Sequence, residues 1–228
     1  MPRVLPGHSA FSTSYVKMGF QRIPQLLVMH MKGAANMKVL GIVCSARKGG
    51  NTEILVTEAL ASAREAGAQT ELVSVVGKNI APCDGCSTCR QTGVCHIQDD
   101  MQSIYQQLET VDAIIFGSPV YFGSVSAQAK AIMDRTFLFL GDRRLKGKVA
   151  APVLAVRCVG AGQTRNLLYG YFMAQGMIPV RGAIGYGRER GDVKQGVGAT
   201  QGSSALEEAR SVGTDVVQMV RRLSKPQG

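Results

Sequence analysis

From residue 37 onward, the hydrophobic positions of this chain alternate between two patterns. Short apolar runs rich in β-branched residues predict five buried strands, at residues 38–44, 70–76, 112–120, 149–156 and 177–185. Between them, apolar residues three and four apart predict helices at residues 51–67, from Asp99 onward, and at 126–139, 164–176 and 203–223. Gly67 and Gly176 are typical of helix ends, and Asp99-Asp100 is typical of a helix start, as cap and first-turn acid.

Strands separated by helices imply one parallel sheet covered by helices on both faces. Right-handed crossovers leave few topologies, and five strands favour the doubly wound order 2-1-3-4-5 in a three-layer α/β domain. In such a sheet the ligand lies beyond the carboxyl ends of the strands, where the strand order reverses. We therefore expect the site in the loops after strands 1 and 3, with the loop after strand 4 adjacent. The polar, glycine-rich segment 185–202 is predicted to be a long surface loop.

The first 36 residues differ in composition from the rest. They contain four basic residues and no acidic one, so four of the chain's ten net positive charges lie there and +6 remains for the body. Their longest apolar stretch, LLVM, is too short for a secretory signal, and MKVLGIV from Met37 looks like a natural beginning. We expect residues 1–36 to be a disordered extension or the product of a start codon placed too early, with a transit or membrane-surface segment as the alternative. Residues 37–228 are predicted to form one domain.

Composition narrows the function classes further. No apolar run approaches the ~20 residues that span a bilayer, so no membrane partner is expected. The charge of the body alone does not indicate nucleic acid, because basic residues attract nucleotides and acidic proteins equally well. Four of the six cysteines lie between Cys83 and Cys95, which indicates a reducing, cytoplasmic setting with a metal or redox role rather than a secreted disulfide framework. The other two, Cys44 and Cys158, are expected to be small buried residues.

The loop after strand 1, CSARKGGNT (44–52), leads from a buried strand directly into a helix start. A helix start offers free N–H groups and a partial positive charge, which suit a phosphate. Ser45, Asn51 and Thr52 add hydrogen-bonding side chains, and Arg47 adds a charged fork of donors. The loop is neither a Walker A motif nor a dinucleotide fingerprint. The alternative is an ordinary turn capped by Asn51 or Thr52.

Two further loops reach the same predicted edge. The loop after strand 3, GSPVYFGSVSAQ (117–128), offers the rings of Tyr121 and Phe122 to a planar ligand, although such a pair also occurs packed in a core. The loop after strand 4, RCVGAGQTRN (157–166), has glycines that permit close approach to a ligand.

Three segments together resemble the iron–sulfur flavoprotein branch of the NADPH-dependent FMN reductase family, whose members have a flavodoxin-like fold. They are GIVCSARKGGNTEIL, IAPCDGCSTCRQTGVCHIQDDM and DAIIFGSPVYFGSVSAQAKAIMDR. The resemblance covers residues 37–180 well and the C-terminal third loosely. It implies an FMN phosphate held by Ser45, Arg47, Gly50, Asn51 and Thr52. It also implies an isoalloxazine along Pro119, Val120, Tyr121, Phe122, Gly123 and Ser124, closed by the backbone near Gly160 and Gly162. Cys44 and Ala46 stand where relatives often have Gly or Ser and Pro.

The cysteine loop (residues 80–98) carries Cys83, Cys86, Cys89 and Cys95. Three thiolates at this close spacing converge on one inorganic core, as in ferredoxin-type loops, and the spacing to Cys95 matches iron–sulfur flavoproteins. A 4Fe–4S cluster is therefore predicted. Structural zinc, a disulfide or reactive thiols, and a relic loop without a cluster are the alternatives. His96 is expected to face solvent rather than to serve as a ligand.

The resemblance implies an oxidoreductase that passes electrons between a reduced donor, ferredoxin or NAD(P)H, and an acceptor through FMN and the cluster. Because the cysteine loop follows strand 2, we expect it at the same sheet edge as the flavin. Relatives assemble as homodimers or homotetramers, with one subunit's cluster near a neighbour's flavin. The main alternative is a cluster-free NAD(P)H-dependent FMN or quinone reductase. A protein that contacts nucleic acid through a zinc-held loop would leave the phosphate-type loop unexplained.

Overall fold

The computed structural model describes residues 36–195 and 204–225. The strands in these ranges are β1 (Lys38–Val43), β2 (Gln69–Ser74), β3 (Ala113–Tyr121), β4 (Ser124–Val125), β5 (Val149–Val156), β6 (Ile178–Pro179) and β7 (Ala183–Tyr186). The α-helices are α1 (Asn51–Glu65), α2 (Thr88–Thr92), α3 (Met101–Thr110), α4 (Ala127–Arg135), α5 (Ala161–Ala174) and α6 (Ala205–Leu223). Short 3₁₀ helices span Thr136–Phe139 and Asp192–Gln195. The predicted extension, apart from Asn36, and the end of the predicted loop 185–202 lie outside the described residues.

The sheet confirms the predicted parallel order. Strands β2, β1, β3 and β5 are neighbours in that sequence, and β6 and β7 both pair with β5. The predicted fifth strand is thus present in two pieces. Pro152 in β5 has no N–H to donate, and Gly182 lies so close that a Cβ there would be 2.4 Å from the Pro152 carbonyl oxygen. The added strand β4 is a short antiparallel partner of β3.

Each face of the sheet has its own apolar core, and β1 contributes to both. Leu40 and Ile42 pack with α3, α4 and α5 on one face, whereas Val39 and Val43 pack with α1 and α6 on the other. This alternation along a doubly covered strand explains its continuous apolar run. The predicted three-layer α/β architecture is therefore confirmed.

Helix ends follow local sequence signals. Gly67 and Gly176 follow the ends of α1 and α5 with φ of +94° and +73°, which suits glycine. Ser204 begins α6 with a capping box that includes Glu207. The start of α5 was placed too late, because the helix begins at Ala161 rather than near residue 164. None of the helices in the two described ranges combines the length and apolar character needed to cross a membrane.

Candidate functional site

Four loops meet at the carboxyl edge of the sheet, and hydrogen bonds join them. The Cys44 N–H donates to the Gly117 carbonyl oxygen at 2.9 Å, and the Ser126 hydroxyl donates to the Cys44 carbonyl oxygen at 2.6 Å. These bonds join the loop after β1 to the β3–β4 segment. The loops after β5 and β7 complete the edge, so the predicted location of a ligand site corresponds to a real junction of loops.

The loop after β1 presents an open helix start. Gly50 is the N-cap of α1, and glycine has no side chain to accept hydrogen bonds from the first-turn N–H groups. The alternative in which Asn51 or Thr52 caps the helix is therefore wrong, since both lie within it. Ser45 is buried and its hydroxyl accepts the Arg47 N–H at 3.2 Å. Thr52 is buried in the first turn, and Arg47 is exposed.

Asn51 has a structural task that its sequence position did not reveal. Its side-chain amide donates to the Glu189 carbonyl oxygen at 2.9 Å and accepts the Gly191 N–H at 2.7 Å. The amide thus fastens the segment after β7 to the start of α1. That segment carries Arg190, whose guanidinium lies 3.4 Å from where a Cβ on Gly49 would be. Arg190 therefore places a second positive charge, besides that of Arg47, next to the loop after β1.

The β3–β4 turn is a two-residue hairpin. Phe122 and Gly123 have φ of +50° and +73°, a left-handed pair typical of tight hairpins. The Phe122 ring is fully exposed and Tyr121 is 48% exposed. The alternative in which this aromatic pair packs in the core is therefore wrong. Pro119 is buried at the base, with Val120 and Ser124 half-buried beside it.

Gly160 and Gly162 have different environments. Gly160 is the N-cap of α5, and a Cβ there would lie 2.7 Å from the Cα of Gly123, so only glycine lets the two loops touch. Gly162 lies inside the first turn of α5, where a Cβ would meet no atom within 4 Å. The prediction of a loop at Gly162 is wrong, because the helix begins at Ala161, earlier than predicted.

All four cysteines of the cysteine loop face one concavity. Cys83 and Cys86 are exposed, Cys89 and Cys95 are half-buried, and none forms a disulfide. Other residues of the wall come from the loop itself, from the end of α4 and from the 3₁₀ helix after it: Asp84, Gly85, Ser87, His96, Ile97, Arg135, Phe137 and Leu138. We call this hollow the cysteine concavity.

The thiols of the cysteine concavity influence one another. Burial raises the pKa of Cys89, and the neighbouring negative charges of Cys95, Cys83 and Cys86 raise it further. A positive metal core would reverse this repulsion. The disulfide alternative is not realised in this structure, because all four thiols are free.

The spacing of the sulfur atoms bears on zinc. Four thiolates around one zinc ion at about 2.3 Å would lie about 3.8 Å apart in a tetrahedron. Within the described ranges, no three cysteine sulfurs lie within 4.8 Å of one another. The three potential ligand atoms that do lie this close belong to Asp84, Cys86 and His96. The thiols are therefore spread more widely than a single zinc ion requires.

A buried ion pair that the sequence pattern does not predict closes the base of the cysteine loop. The Arg135 guanidinium bonds both carboxylate oxygens of Asp99, at 2.7 and 3.1 Å, with side chains 0% and 3% exposed. It also donates to the carbonyl oxygens of Ala81 and Ile97 at 2.9 and 3.3 Å. Arg135 thus ties the start of the loop to its end.

Asp99 was predicted as a helix cap, and its main partner is this arginine. It does accept the Met101 N–H at 3.0 Å. Asp100 holds the N-cap position without a side-chain cap bond; it accepts the Asn79 N–H at 2.7 Å instead. In the sequence, Asp99 is an acidic residue close to the cysteines and Arg135 lies at the end of an amphipathic helix. Neither position indicates that the two side chains form an ion pair.

The cysteine concavity and the carboxyl-edge loops lie at opposite ends of α4. Ser126, which caps α4, bonds the loop after β1, whereas Arg135 ends the helix at the concavity. Nine helical residues separate them, or about 13 Å. The cysteine loop therefore leaves the sheet edge where it was expected and folds down beside α3 and α4.

The remaining cysteines and the histidine complete the comparison with the predictions. Cys44 is buried as expected, and burial raises the pKa of its thiol. Cys158 is exposed, contrary to prediction, because it lies in the turn beyond the end of β5. His96 is exposed as predicted, and its Nε2 lies 2.7 Å from a carboxylate oxygen of Asp84.

Comparison with known proteins agrees with this geometry. Residues 37–189 match the family model of NADPH-dependent FMN reductase. An iron–sulfur flavoprotein from Methanocaldococcus jannaschii is 39% identical over 83% of this chain and 100% of its own, and one from Archaeoglobus fulgidus is 33% identical over 80% of each. A solved WrbA-like flavodoxin from Agrobacterium tumefaciens has a similar fold, with a TM-score of 0.56 at 18% identity over 82% of this chain and 98% of that one.

The family model spans more than half of the described chain, and the archaeal relatives are matched over most of their length. The predicted flavodoxin-like fold and the predicted flavin-linked oxidoreductase function are thereby confirmed. This chain belongs to the NADPH-dependent FMN reductase family, in the branch of the iron–sulfur flavoproteins.

Proposed function

We propose that this protein binds FMN at the carboxyl edge and a 4Fe–4S cluster in the cysteine concavity, and that it passes electrons between a reduced donor and an acceptor. The observation that carries the proposal is the cysteine concavity itself. Four free thiols face one hollow whose base is closed by a buried ion pair. A flavin-only reductase does not require such a group of thiols for its chemistry.

The residues at the carboxyl edge suit a flavin mononucleotide. The uncapped start of α1 at Gly50 offers N–H groups to the phosphate, with Ser45 and Thr52 beside it and Arg47 as an exposed cation. Asn51 supports this site through the segment after β7, since both polar atoms of its side chain are engaged there. The exposed hairpin at Tyr121 and Phe122, next to Gly160, would line the ring.

The donor set of the cysteine concavity suits an iron–sulfur core. Iron–sulfur clusters take thiolate ligands, and no three sulfurs of Cys83, Cys86, Cys89 and Cys95 lie within 4.8 Å of one another, farther apart than one zinc ion would hold them. Flavin exchanges electrons singly or in pairs, whereas a cluster carries one at a time. Together, the two groups would connect a two-electron donor or acceptor to a one-electron partner such as ferredoxin.

The separation of the two sites favours electron transfer between subunits. They lie at opposite ends of α4, and the hairpin at Phe122 contributes no residue to the wall of the cysteine concavity. In a homodimer or homotetramer, the cysteine concavity of one subunit would approach the flavin edge of a neighbour. NAD(P)H and ferredoxin are the proposed donors.

Anaerobic purification tests the two cofactors separately. We expect a protein with flavin absorption bands, a broad brown shoulder, iron and acid-labile sulfide. Cys86→Ser should abolish the iron and sulfide signal and leave FMN bound, because the thiol lines the concavity, at the other end of α4 from the carboxyl edge. Cys158→Ser is the matched control, since this exposed thiol lies outside the concavity, and it should retain both groups.

Each other outcome of this measurement has a meaning. Flavin without iron in the wild type would favour the cluster-free reductase. Zinc in place of iron would contradict the cluster. Equal loss of flavin and iron in Cys86→Ser would show that the two sites are not separate.

The phosphate role of Arg47 gives a further prediction. Arg47→Gln should weaken FMN binding about tenfold, roughly 1.4 kcal/mol, because one charge-assisted hydrogen bond to the phosphate is lost. Lys48→Gln, at the neighbouring exposed position, is the control and should have a smaller effect. Titration with FMN and with riboflavin, which has no phosphate, measures both, and a loss of equal size for riboflavin would place Arg47 elsewhere.

A further inference from the structure

We infer that Arg135 holds the cysteine loop in place around its inorganic core and neutralises the buried Asp99 carboxylate, whose unpaired negative charge would disfavour reduction of that core. This inference rests on the proposed cluster. It assigns a positioning role to a residue that carries no ligand atom. The evidence lies in its contacts, its burial and its place on the wall of the cysteine concavity.

Arg135 directs its donors to both ends of the cysteine loop. Nη1 bonds the Ala81 carbonyl oxygen before the first cysteine, and Nη2 bonds the Ile97 carbonyl oxygen after the last, at 2.9 and 3.3 Å. Asp99 repeats this bridge, since it accepts the Ala81 N–H at 2.9 Å. The two residues close a loop whose cysteines lie between these anchors.

A third contact leads toward Cys95. Arg135 Nε donates to the Tyr105 hydroxyl at 3.1 Å, and that hydroxyl donates to the Arg135 carbonyl oxygen at 3.1 Å. Tyr105 is buried in the apolar core against which Cys95 packs. The guanidinium and the phenol therefore lie behind the most enclosed part of the concavity, whereas Cys83 and Cys86 face solvent.

The charge of Arg135 acts on the redox step because it balances the buried negative charge of Asp99 beside the cysteine concavity. One electron from a reductant such as dithionite adds one negative charge to the thiolate-bound core, and no proton is needed for balance. Charge and hydrogen bonding around the sulfur atoms set such potentials, and a buried charge is screened less than an exposed one. Arg135 therefore favours the reduced form.

Two substitutions separate the two roles. Arg135→Lys retains the charge and loses the planar fork that reaches both loop ends, so iron occupancy should fall with little change in potential. Arg135→Gln loses the charge and the planar fork. The equilibrium constant for one-electron reduction should fall at least tenfold, which lowers the midpoint potential by 59 mV or more. Arg144→Gln is the control, because Arg144 bonds the loop at Gly93 from outside the concavity, and it should change this equilibrium constant less than threefold.

The measurements are iron and sulfide content after anaerobic reconstitution, the midpoint potential followed by optical titration, and far-UV circular dichroism as a check on folding. An unchanged potential in folded, iron-loaded Arg135→Gln would overturn the charge role. Full iron occupancy in Arg135→Lys would overturn the positioning role. If Arg135→Gln does not fold, the midpoint potential of Arg135→Lys tests the charge role instead. A shift of 59 mV or more in that variant, which retains the charge, would contradict the inference. A wild type that takes up no iron would instead refute the proposed function.

Discussion

Gly213→Ala is expected to destabilise the protein by about 3 kcal/mol or more, the upper range for overpacking a well-filled interface. Gly213 lies in the middle of α6, where alanine would normally favour the helix by up to 1 kcal/mol. Here a Cβ would lie 2.0 Å from the Ala59 carbonyl oxygen and 2.9 Å from the Ala63 nitrogen. Because these are backbone atoms of α1, no side-chain rotation can relieve the overlap, and the two helices must separate.

Denaturant unfolding followed by circular dichroism measures this effect. Gly170→Ala is the matched control: it lies inside α5, and a Cβ there would meet no atom within 4 Å. That variant should be as stable as the wild type or more stable by about 0.5–1 kcal/mol. If Gly213→Ala were equally harmless, the close packing of α1 on α6 would be wrong.

Asp99→Asn is expected to lower the free energy of unfolding by about 3–5 kcal/mol at neutral pH, because it leaves the buried Arg135 charge without its partner. Asp134→Asn is the control. Asp134 pairs with Lys130 on the exposed surface of α4, where such pairs contribute about 0.3–0.5 kcal/mol. Chemical denaturation at pH 7 should separate the two variants clearly.

The same pair predicts a dependence on pH. Burial alone would raise the pKa of Asp99, but hydrogen bonds from Arg135 and from the Ala81 and Met101 N–H groups outweigh burial and hold the pKa below its usual value. The stability that the ionised carboxylate contributes is therefore present above about pH 4 and is lost as pH falls through the lower folded pKa. The difference between the wild type and Asp99→Asn should shrink in acid. A difference independent of pH between 7 and 2 would argue against an ionised pair.

Much of the fold could be predicted from short-range pattern. The strand order followed from the alternation of strands and helices, because handedness and crossover rules leave few arrangements. Element ends were less certain. The start of α5 at Ala161 was missed because Gly160 and Gly162 favoured a loop, and the break in the last strand depends on Pro152 and Gly182, which meet only across the sheet.

The candidate site was predictable to a lesser degree. The residue types of the loop after β1 indicated a phosphate, but Asn51 bonds a segment 138 residues away in sequence. The cysteine spacing indicated a metal centre, but not the path of the loop beside α4. Nothing in the sequence around Arg190 predicts that its guanidinium lies near Gly49.

By itself, the sequence determined the layered architecture, the family and the grouping of four cysteines, because periodicity and spacing are local properties of the chain. Only the tertiary structure decided that Arg135 and Asp99 close the cysteine loop and that this loop lies at the far end of α4 from the carboxyl edge. The reason is physical: a buried charge must find its partner wherever folding brings one, and here that partner is 36 residues away in sequence.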